Sequence, residues 1–319
     1  MQITNSVKTQ LRPWFIDESR IAEVLPTIDS DIRPYAESII ENGFAVIKGS
    51  VDKTLCAGLI ERFKAFAAVN PEKFGQFLDR DGHYPRIINL HLAFPELFDL
   101  FTKNTMTYRV QEAMFGATPC LYTSLFYERG SAQPPHRDTP VFSTRPEYFY
   151  FGVWVELEDA NEQNGALQVY RGGHKIPELS REEMALRHFE SLEDVPPFTQ
   201  ALWNEYQGTV KEQCEAAGLQ PEMLHVEAGN TMIWHPQLPH GGGPIADISK
   251  SRFSLVMHTT PVGVPVYHQH VFFNPGGDAS FEAPWRYEKV DDFYRVQNTE
   301  VDFGHKQAFP AASFKRPVQ

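Results

Sequence analysis

From about Cys120 to Phe273 the sequence breaks into short runs of apolar, aromatic and β-branched residues. Glycine, proline and asparagine separate these runs, which is the pattern of strands in a β-sandwich or barrel. The predicted strands are Leu121–Tyr127, Tyr148–Leu157, Ala166–Tyr170, Thr231–His235, Phe253–Thr259 and Val264–Phe273. This part of the chain is therefore expected to form a mainly β core.

The part of the chain before this region has a different pattern. Ile32–Glu41 and Asp52–Phe66 show helical spacing of apolar residues, with the short strand Gly43–Lys48 between them. A further helix is expected over Pro95–Phe115, ended by Gly116. Helices followed by many short strands indicate an α+β chain.

The organisation expected from these patterns is one domain over residues 1–319. Its helical N-terminal part covers about 1–117, and its β core about 118–275. A polar, helix-like insertion at about 176–220 interrupts the core and could act as a lid. Residues 276–319 are rich in aromatic and charged side chains and are expected to wrap around the outside.

Composition narrows the possible partners. The 319 residues carry a formal net charge of -12, which disfavours a broad surface for nucleic acid or an anionic membrane. The N-terminus has no apolar signal segment, and no apolar run is long enough to span a membrane. Cys56, Cys120 and Cys214 are too few and too scattered for a disulfide or zinc framework, so we expect a reducing, cytoplasmic setting.

One short motif carries the chemistry of a metal site. His136 and Asp138 are two residues apart, and side chains at that spacing point to the same face of an extended segment. His240 stands beside the glycine turn Gly241–Gly243, which is expected to allow positive φ and a close approach of the chain to the site. Two imidazoles and one carboxylate form the facial triad of non-haem iron(II) oxygenases. By itself His-x-Asp is more often a turn or a cap, and His235 is the alternative second histidine.

Arg252 lies twelve residues after His240, at the head of an apolar strand. A guanidinium inside a barrel requires an anionic partner, because an unpaired buried charge is very costly. A bidentate clamp on a carboxylate is its natural use.

The order of these motifs resembles the phytanoyl-CoA dioxygenase family of iron(II)- and 2-oxoglutarate-dependent oxygenases. The matching segments are His136–Asp138, Trp154–Asp159, Asn164–Val169, Gly172–Lys175, Ala228–Asn230, Pro239–Gly243 and Arg252. The resemblance spans roughly Gly43 to Thr260.

The resemblance implies a double-stranded β-helix, the cupin-like jelly roll, with N-terminal helices. It implies Fe(II) held by His136, Asp138 and His240, and 2-oxoglutarate as co-substrate, with Arg252 on its distal carboxylate and Trp154 beside it. With dioxygen and a small-molecule substrate, such an enzyme hydroxylates an unactivated C–H bond and releases succinate and CO2. Gly242 departs from the family, which often has serine at this position.

The substrate and the oligomeric state cannot be read from the sequence. Arg145, Tyr148, Arg171 and residues of the 176–220 insertion are candidates for the substrate pocket, and His174 either lines the mouth or caps a turn. His268 and His270 alternate on the last predicted strand and are expected to be a surface or supporting pair. Two other functions stay open: a redox-inert jelly-roll metalloenzyme (an isomerase or hydrolase), and a metal-free sugar-binding jelly roll.

Overall fold

A computed structural model describes residues 12–279 and 285–317. The helices are α1 Glu18–Val24, α2 Arg33–Asn42, α3 Lys53–Ala68, α4 Pro71–Phe74, α5 Asp99–Thr102, α6 Thr105–Phe115, α7 Arg181–Ala185, α8 Gln200–Ala216 and α9 Gln269–Phe272. The strands are β1 Phe44–Ile47, β2 Ile87–Ile88, β3 Pro119–Tyr127, β4 Ser143–Thr144, β5 Phe151–Glu156, β6 Leu167–Val169, β7 Glu222–Leu224, β8 Thr231–Trp234, β9 His240–Gly242, β10 Ser254–Pro261, β11 Val266–Tyr267, β12 Tyr287–Val290, β13 Phe293–Val296, β14 Glu300–Phe303 and β15 Ala308–Pro310. The prediction that no signal segment is present falls largely on residues 1–11, which lie outside the described residues, as do 280–284 and 318–319 of the predicted wrap.

Two antiparallel sheets pack against each other. The larger has the order β1-β8-β5-β10-β3-β2-β14-β15, and β12 and β13 join it through a parallel pairing of β13 with β3. The smaller has the order β7-β6-β9. A short apolar layer fills the space between the two sheets, with Trp154, Trp234 and Val256 from the larger and Leu167 and Val169 from the smaller. The predicted α+β class with a mainly β core is confirmed.

Both faces of the central strands in the larger sheet are buried, and successive residues of a strand pack into different hydrophobic clusters. On β10, Leu255 and Met257 belong to the core beneath the N-terminal helices, whereas Val256 faces the smaller sheet. On β5, Val153 and Val155 alternate with Trp154 in the same way. This period of two explains why these runs are almost continuously apolar in sequence.

The N-terminal helices cover the outer face of the larger sheet. Asp52 caps α3 by accepting hydrogen bonds from the Thr54 and Leu55 amides, and α2 ends at Gly43 with a φ of 89°. The single helix expected over Pro95–Phe115 is wrong: a 3-10 turn, α5 and α6 replace it. The break lies at Asn104, whose side-chain amide donates to Thr231 Oγ1 at 2.8 Å and so anchors the chain to β8.

Five of the six predicted strands are present, close to their expected ends. The sixth, Val264–Phe273, is wrong beyond Tyr267: the chain turns into α9, so His268 and His270 do not alternate on a strand. The end of this segment turns because Phe272 and Phe273 pack into the core of the insertion with Tyr206 of α8. Within the described ranges, no helix has the length and apolar character needed to cross a membrane.

Candidate metal centre and adjoining cavity

His136, Asp138 and His240 meet at one end of the space between the sheets. His136 and His240 form an isolated antiparallel bridge, in which the His136 amide donates to the His240 carbonyl at 2.7 Å and the reverse bond is 2.9 Å. One ligand atom from each of the three residues lies within 4.8 Å of the others, and all three side chains are buried. The expectation of a side-chain cluster is met, although His136 and Asp138 lie on irregular chain rather than on a regular strand.

Backbone carbonyls fix the orientation of both imidazoles. His136 Nδ1 donates to the Pro134 carbonyl and His240 Nδ1 to the Leu238 carbonyl, each at 2.9 Å. The Nε2 atoms then face Asp138, at 3.3 Å from Oδ1 for His136 and 3.6 Å from Oδ2 for His240. A hydrogen bond that holds one ring nitrogen leaves the other free to bind a metal.

Burial and charge set the ionisation of the cluster. Burial lowers the pKa of His240 to about 4, which keeps its imidazole neutral near pH 7. Burial by itself would raise the pKa of Asp138, but the neighbouring histidines, His240 first, hold it well below its usual value. Neutral imidazoles beside an ionised carboxylate are the form in which these groups bind a divalent metal.

Two further side chains hold the Asp138 carboxylate. Trp234 Nε1 donates to Oδ2 at 3.2 Å, and His258 Nε2 lies 3.4 Å from the same oxygen. The Trp234 ring fits because its partner across β5 and β8 is Gly152, where an added Cβ would stand 1.9 Å from the indole. His258 was missed from the sequence, although it stands on the same face of its strand as Arg252.

Gly241 and Gly242 form part of strand β9 rather than the expected turn, and they allow two chain segments to come close together. A Cβ on Gly241 would lie 2.6 Å from the Gln133 carbonyl oxygen, and one on Gly242 would lie 2.6 Å from Ser131 Oγ. The expected close approach of the chain is therefore confirmed. The expected positive φ is wrong, because the residues with positive φ do not include Gly241–Gly243.

Arg252 belongs to a cluster of buried polar side chains next to Trp154. Its guanidinium carbon lies 4.3 Å from the Trp154 ring centroid, and Nη1 donates to the Gly165 carbonyl. Arg252 Nε is 3.6 Å from Glu156 Oε2. Within the described residues, Arg252 Nε and Nη2, Ser254 Oγ and Glu156 Oε2 are buried without a hydrogen-bond partner. The anionic group beside Arg252 in this structure is Glu156, and Arg252 is fully buried and does not line the adjoining cavity, whereas Trp154 does.

A cavity of about 930 Å³ opens beside the three clustered residues. His136, Asp138, His240, Trp154 and His258 are among its lining residues. The remaining wall combines aromatic rings with polar and charged side chains, among them Tyr122, Phe142, Trp203, Trp285, Arg86, Asn89 and Asn298. Trp203 comes from the insertion that was expected to shape the pocket. The other residues were missed, because they come from loops and from strands far apart in the chain.

The three residues proposed individually for the substrate pocket lie elsewhere. Arg171 pairs with Glu222 at the surface, Arg145 donates to the Val271 carbonyl, and Tyr148 donates to Glu178. His174 does not line the cavity, since its Nε2 contacts the Ile40 carbonyl at 2.9 Å. His235 is a buried, hydrogen-bonded core residue that accepts the Gln237 amide at 3.1 Å.

Two packed antiparallel sheets with a buried two-histidine, one-carboxylate cluster between them define a jelly-roll protein with a candidate mononuclear metal site. A sequence model of the family described as phytanoyl-CoA dioxygenase (PhyH) matches residues 39–250. The chain therefore belongs to the phytanoyl-CoA dioxygenase family.

Similarity to known proteins is partial in sequence and broad in fold. The phytanoyl-CoA dioxygenase domain-containing protein 1 of Danio rerio is 30% identical over 103 residues, which cover 31% of this chain and 33% of that protein. The chain thus spans about a third of the length of the curated relatives it matches.

Two solved structures share the fold over most of their length. The non-heme alpha ketoglutarate dependent carbocyclase SnoK from nogalamycin biosynthesis has a TM-score of 0.56 and 14% identity, covering 86% of this chain and 98% of its own. The epimerase SnoN, in complex with Fe3+, alpha ketoglutarate and nogalamycin RO, has a TM-score of 0.54 and 15% identity, covering 84% and 98%. These likenesses confirm the predicted jelly-roll core.

Proposed function

We propose that this protein is an Fe(II)- and 2-oxoglutarate-dependent dioxygenase that hydroxylates an unactivated C–H bond of a small molecule. The observation that carries the proposal is the buried cluster of His136, Asp138 and His240, with both Nε2 atoms directed at the carboxylate. Membership of the phytanoyl-CoA dioxygenase family and the Fe3+ and alpha ketoglutarate bound to SnoN support the same function.

In this proposal His136, Asp138 and His240 are the three iron ligands. Two neutral imidazoles and one carboxylate leave coordination positions open for co-substrate and dioxygen. Trp234 and His258 contact Oδ2 of the Asp138 carboxylate and would hold its orientation. Asp138 also bears on the type of reaction, because a carboxylate ligand occupies the position that a halide needs in a halogenating enzyme.

Arg252 and Trp154 are proposed to bind 2-oxoglutarate. Arg252 Nε and Nη2 and Ser254 Oγ are unpaired donors that fit one carboxylate. Arg252, Ser254, Val256 and His258 alternate along one face of the β10 segment, so that face runs from the guanidinium to the metal cluster. Trp154 lines the cavity and covers the guanidinium, so the proposal requires its ring to turn aside when the co-substrate carboxylate reaches Arg252.

When bound, iron and 2-oxoglutarate supply the activation of dioxygen, with one oxygen atom entering succinate as CO2 leaves and the other entering the substrate C–H bond. The protein's own part is to orient the reactants and to exclude water. Tyr122, Phe142 and Trp203 line the cavity with apolar ring surface, which suits a small molecule with substantial apolar area.

We also propose a reducing, cytoplasmic setting. Cys56, Cys120 and Cys214 are buried free thiols. Burial raises the pKa of the Cys56 thiol to about 11, so this thiol is protonated and unreactive near pH 7.

The test is anaerobic addition of Fe(II) and 2-oxoglutarate to metal-free protein, followed by visible absorption of the chelate. The expected result is a weak charge-transfer band that is absent in Asp138→Ala and His240→Ala and weakened in Arg252→Ala. His235→Ala is the matched control, because it removes a buried histidine outside the cluster, and it should keep the band.

Each other outcome counts against the proposal in a specific way. Loss of the band in His235→Ala but not in His240→Ala would reverse the assignment of the second histidine. A wild-type protein with no band, carrying zinc or no metal after purification, would favour the redox-inert metalloenzyme or the sugar-binding jelly roll. If the band forms, succinate release in a substrate screen identifies the substrate. The structure of the oxidised product then separates hydroxylation from other 2-oxoglutarate-dependent oxidations.

A further inference from the structure

The peptide between two of the proposed iron ligands is held by a side chain from the insertion. The Arg137 amide donates to Gln207 Oε1 at 2.8 Å, and the Arg137 carbonyl accepts from Gln207 Nε2 at 2.9 Å. Both bonds are buried. Within the described residues, Gln207 is the partner of both the Arg137 amide and the Arg137 carbonyl. The neighbouring β-bridge involves His136 and does not extend to Arg137.

This arrangement matters because the spacing of His136 and Asp138 depends on the conformation of Arg137. Two side chains at positions i and i+2 converge on one point only while the peptide between them stays extended. Gln207 makes the same pair of hydrogen bonds that a neighbouring β-strand would make. It therefore replaces the missing strand at the place where regular pairing has ended.

The helix that carries Gln207 is fixed to the barrel on the same side. Arg137 Nη2 donates to the Gly173 carbonyl at 2.9 Å, and Nη1 lies 3.9 Å from Glu178 Oε1. Glu178 accepts hydrogen bonds from Tyr148 at 2.8 Å and from Tyr206 of α8 at 3.1 Å. The helix α8 is therefore connected to the segment His136–Asp138 twice, through Gln207 and through the contact of Tyr206 and Arg137 with Glu178.

One turn earlier on the same helix, Trp203 lines the cavity with its ring centroid 5.8 Å from that of His136. Positions i and i+4 share a helix face. The face of α8 that contacts the barrel thus touches both the cavity wall and the ligand backbone.

We propose that Gln207 is a positioning residue for the metal centre, and that α8 is a fixed part of that centre rather than a lid that opens away from it. The proposal rests on the proposed function, since it takes His136 and Asp138 as metal ligands. Gln207 contacts neither metal nor substrate and acts only through the Arg137 peptide.

The test compares two substitutions of the same kind on one helix. Gln207→Met keeps the length of the side chain and removes both hydrogen bonds, whereas Gln200→Met changes an exposed glutamine of α8. Co(II) is titrated into metal-free protein and followed by its visible absorption, with circular dichroism as the check that each variant is folded. Gln207→Met is expected to weaken Co(II) binding by about 10- to 100-fold, the range for residues that orient metal ligands, and Gln200→Met to leave it unchanged.

A second variant covers the possibility that Gln207→Met does not fold. Gln207→Glu keeps an acceptor for the Arg137 amide and loses the donor to its carbonyl, so its Co(II) affinity should fall between wild type and Gln207→Met. Wild-type Co(II) affinity in a folded Gln207→Met with a lowered melting temperature would overturn the proposal and leave Gln207 a purely structural residue. Wild-type affinity in Gln207→Glu, when Gln207→Met does not fold, would overturn it too.

The same titration separates this inference from the proposed function. Co(II) binding that does not depend on Asp138 and His240 would refute the metal site itself. Binding that depends on both but is unaffected by the Gln207 substitutions would refute only the role of α8.

Discussion

Glu156 is a carboxyl group whose burial should cost the protein stability at neutral pH. It stands on β5 facing Arg252, with 3% of its side chain exposed, and the Nε–Oε2 separation of 3.6 Å is longer than a hydrogen bond. Burial raises the pKa of Glu156 from 4.5 to about 7, and the nearby Arg252 offsets only part of that rise. The ion pair therefore does not compensate for the desolvation of its carboxylate.

The sign of the effect follows from proton binding. Because the pKa of Glu156 is higher in the folded state, the folded protein binds more protons between pH 4.5 and 7 than the unfolded chain. Stability is then lost as the pH rises through this window. A rise of about 2.5 pKa units corresponds to about 3 kcal/mol at pH 8, and to less than about 1 kcal/mol at pH 5.

Glu156→Gln removes this titration while keeping the size and polarity of the neutral acid. The variant should be more stable than wild type by about 3 kcal/mol at pH 8, and by less than about 1 kcal/mol at pH 5. Urea unfolding of the metal-free protein, followed by circular dichroism at both pH values, measures the difference. Glu23→Gln is the control, because it makes the same chemical change at an exposed position of α1.

The opposite result would refute the reasoning. If Glu156→Gln is less stable than wild type at pH 8, the attraction between Glu156 and Arg252 exceeds the cost of burying the carboxylate. A stability gain of equal size at both pH values would also contradict it, because the effect would then come from packing rather than from ionisation.

Three other substitutions test features of the metal centre and its surroundings. Gly152→Ala should displace Trp234, because the indole would lie 1.9 Å from the new Cβ. Co(II) binding should then weaken by about 10-fold. Unchanged affinity would mean that the Trp234 hydrogen bond does not orient the Asp138 carboxylate. Gly241→Ala should lower the free energy of unfolding by about 1–3 kcal/mol, because its Cβ would meet the Gln133 carbonyl oxygen at 2.6 Å; chemical unfolding measures this, and a wild-type midpoint would contradict it. Ser254→Ala should leave the stability of the metal-free protein nearly unchanged, since Ser254 Oγ has no partner in the described structure, but should weaken 2-oxoglutarate binding in a titration of the charge-transfer band.

Sequence patterns among neighbouring residues were sufficient to predict several strands and helices. Alternation of apolar residues located β3, β5 and β10, and Asp52 marked the start of α3. The candidate metal cluster was also accessible, because His136 and Asp138 are two residues apart and His240 precedes a run of three glycines. In each case neighbouring residues carry the information.

The contacts that support the site were not accessible in this way. Gln207 meets Arg137 from seventy positions away, and a glutamine in the middle of a helix has no local pattern that predicts such a bond. The burial of Glu156 could have been predicted, since it lies two residues after Trp154, on the same face of a strand that is buried throughout. The error over Pro95–Phe115 has a similar origin, because the anchoring of Asn104 to Thr231 is a tertiary contact that overrides local helical preference.

The cavity is built partly from residues beyond the segment that the family shares. The family match ends at residue 250, yet Trp285, Asn298 and Glu300 lie in the cavity wall. They reach it because β14 joins the sheet edge at β2, next to β3. The three clustered metal-binding side chains and these wall residues thus occupy separate stretches of chain. A graft that exchanges residues 285–317 between relatives would change which molecules fit while leaving the metal-binding residues untouched, so natural variation or laboratory design can alter the choice of molecule independently of the chemistry.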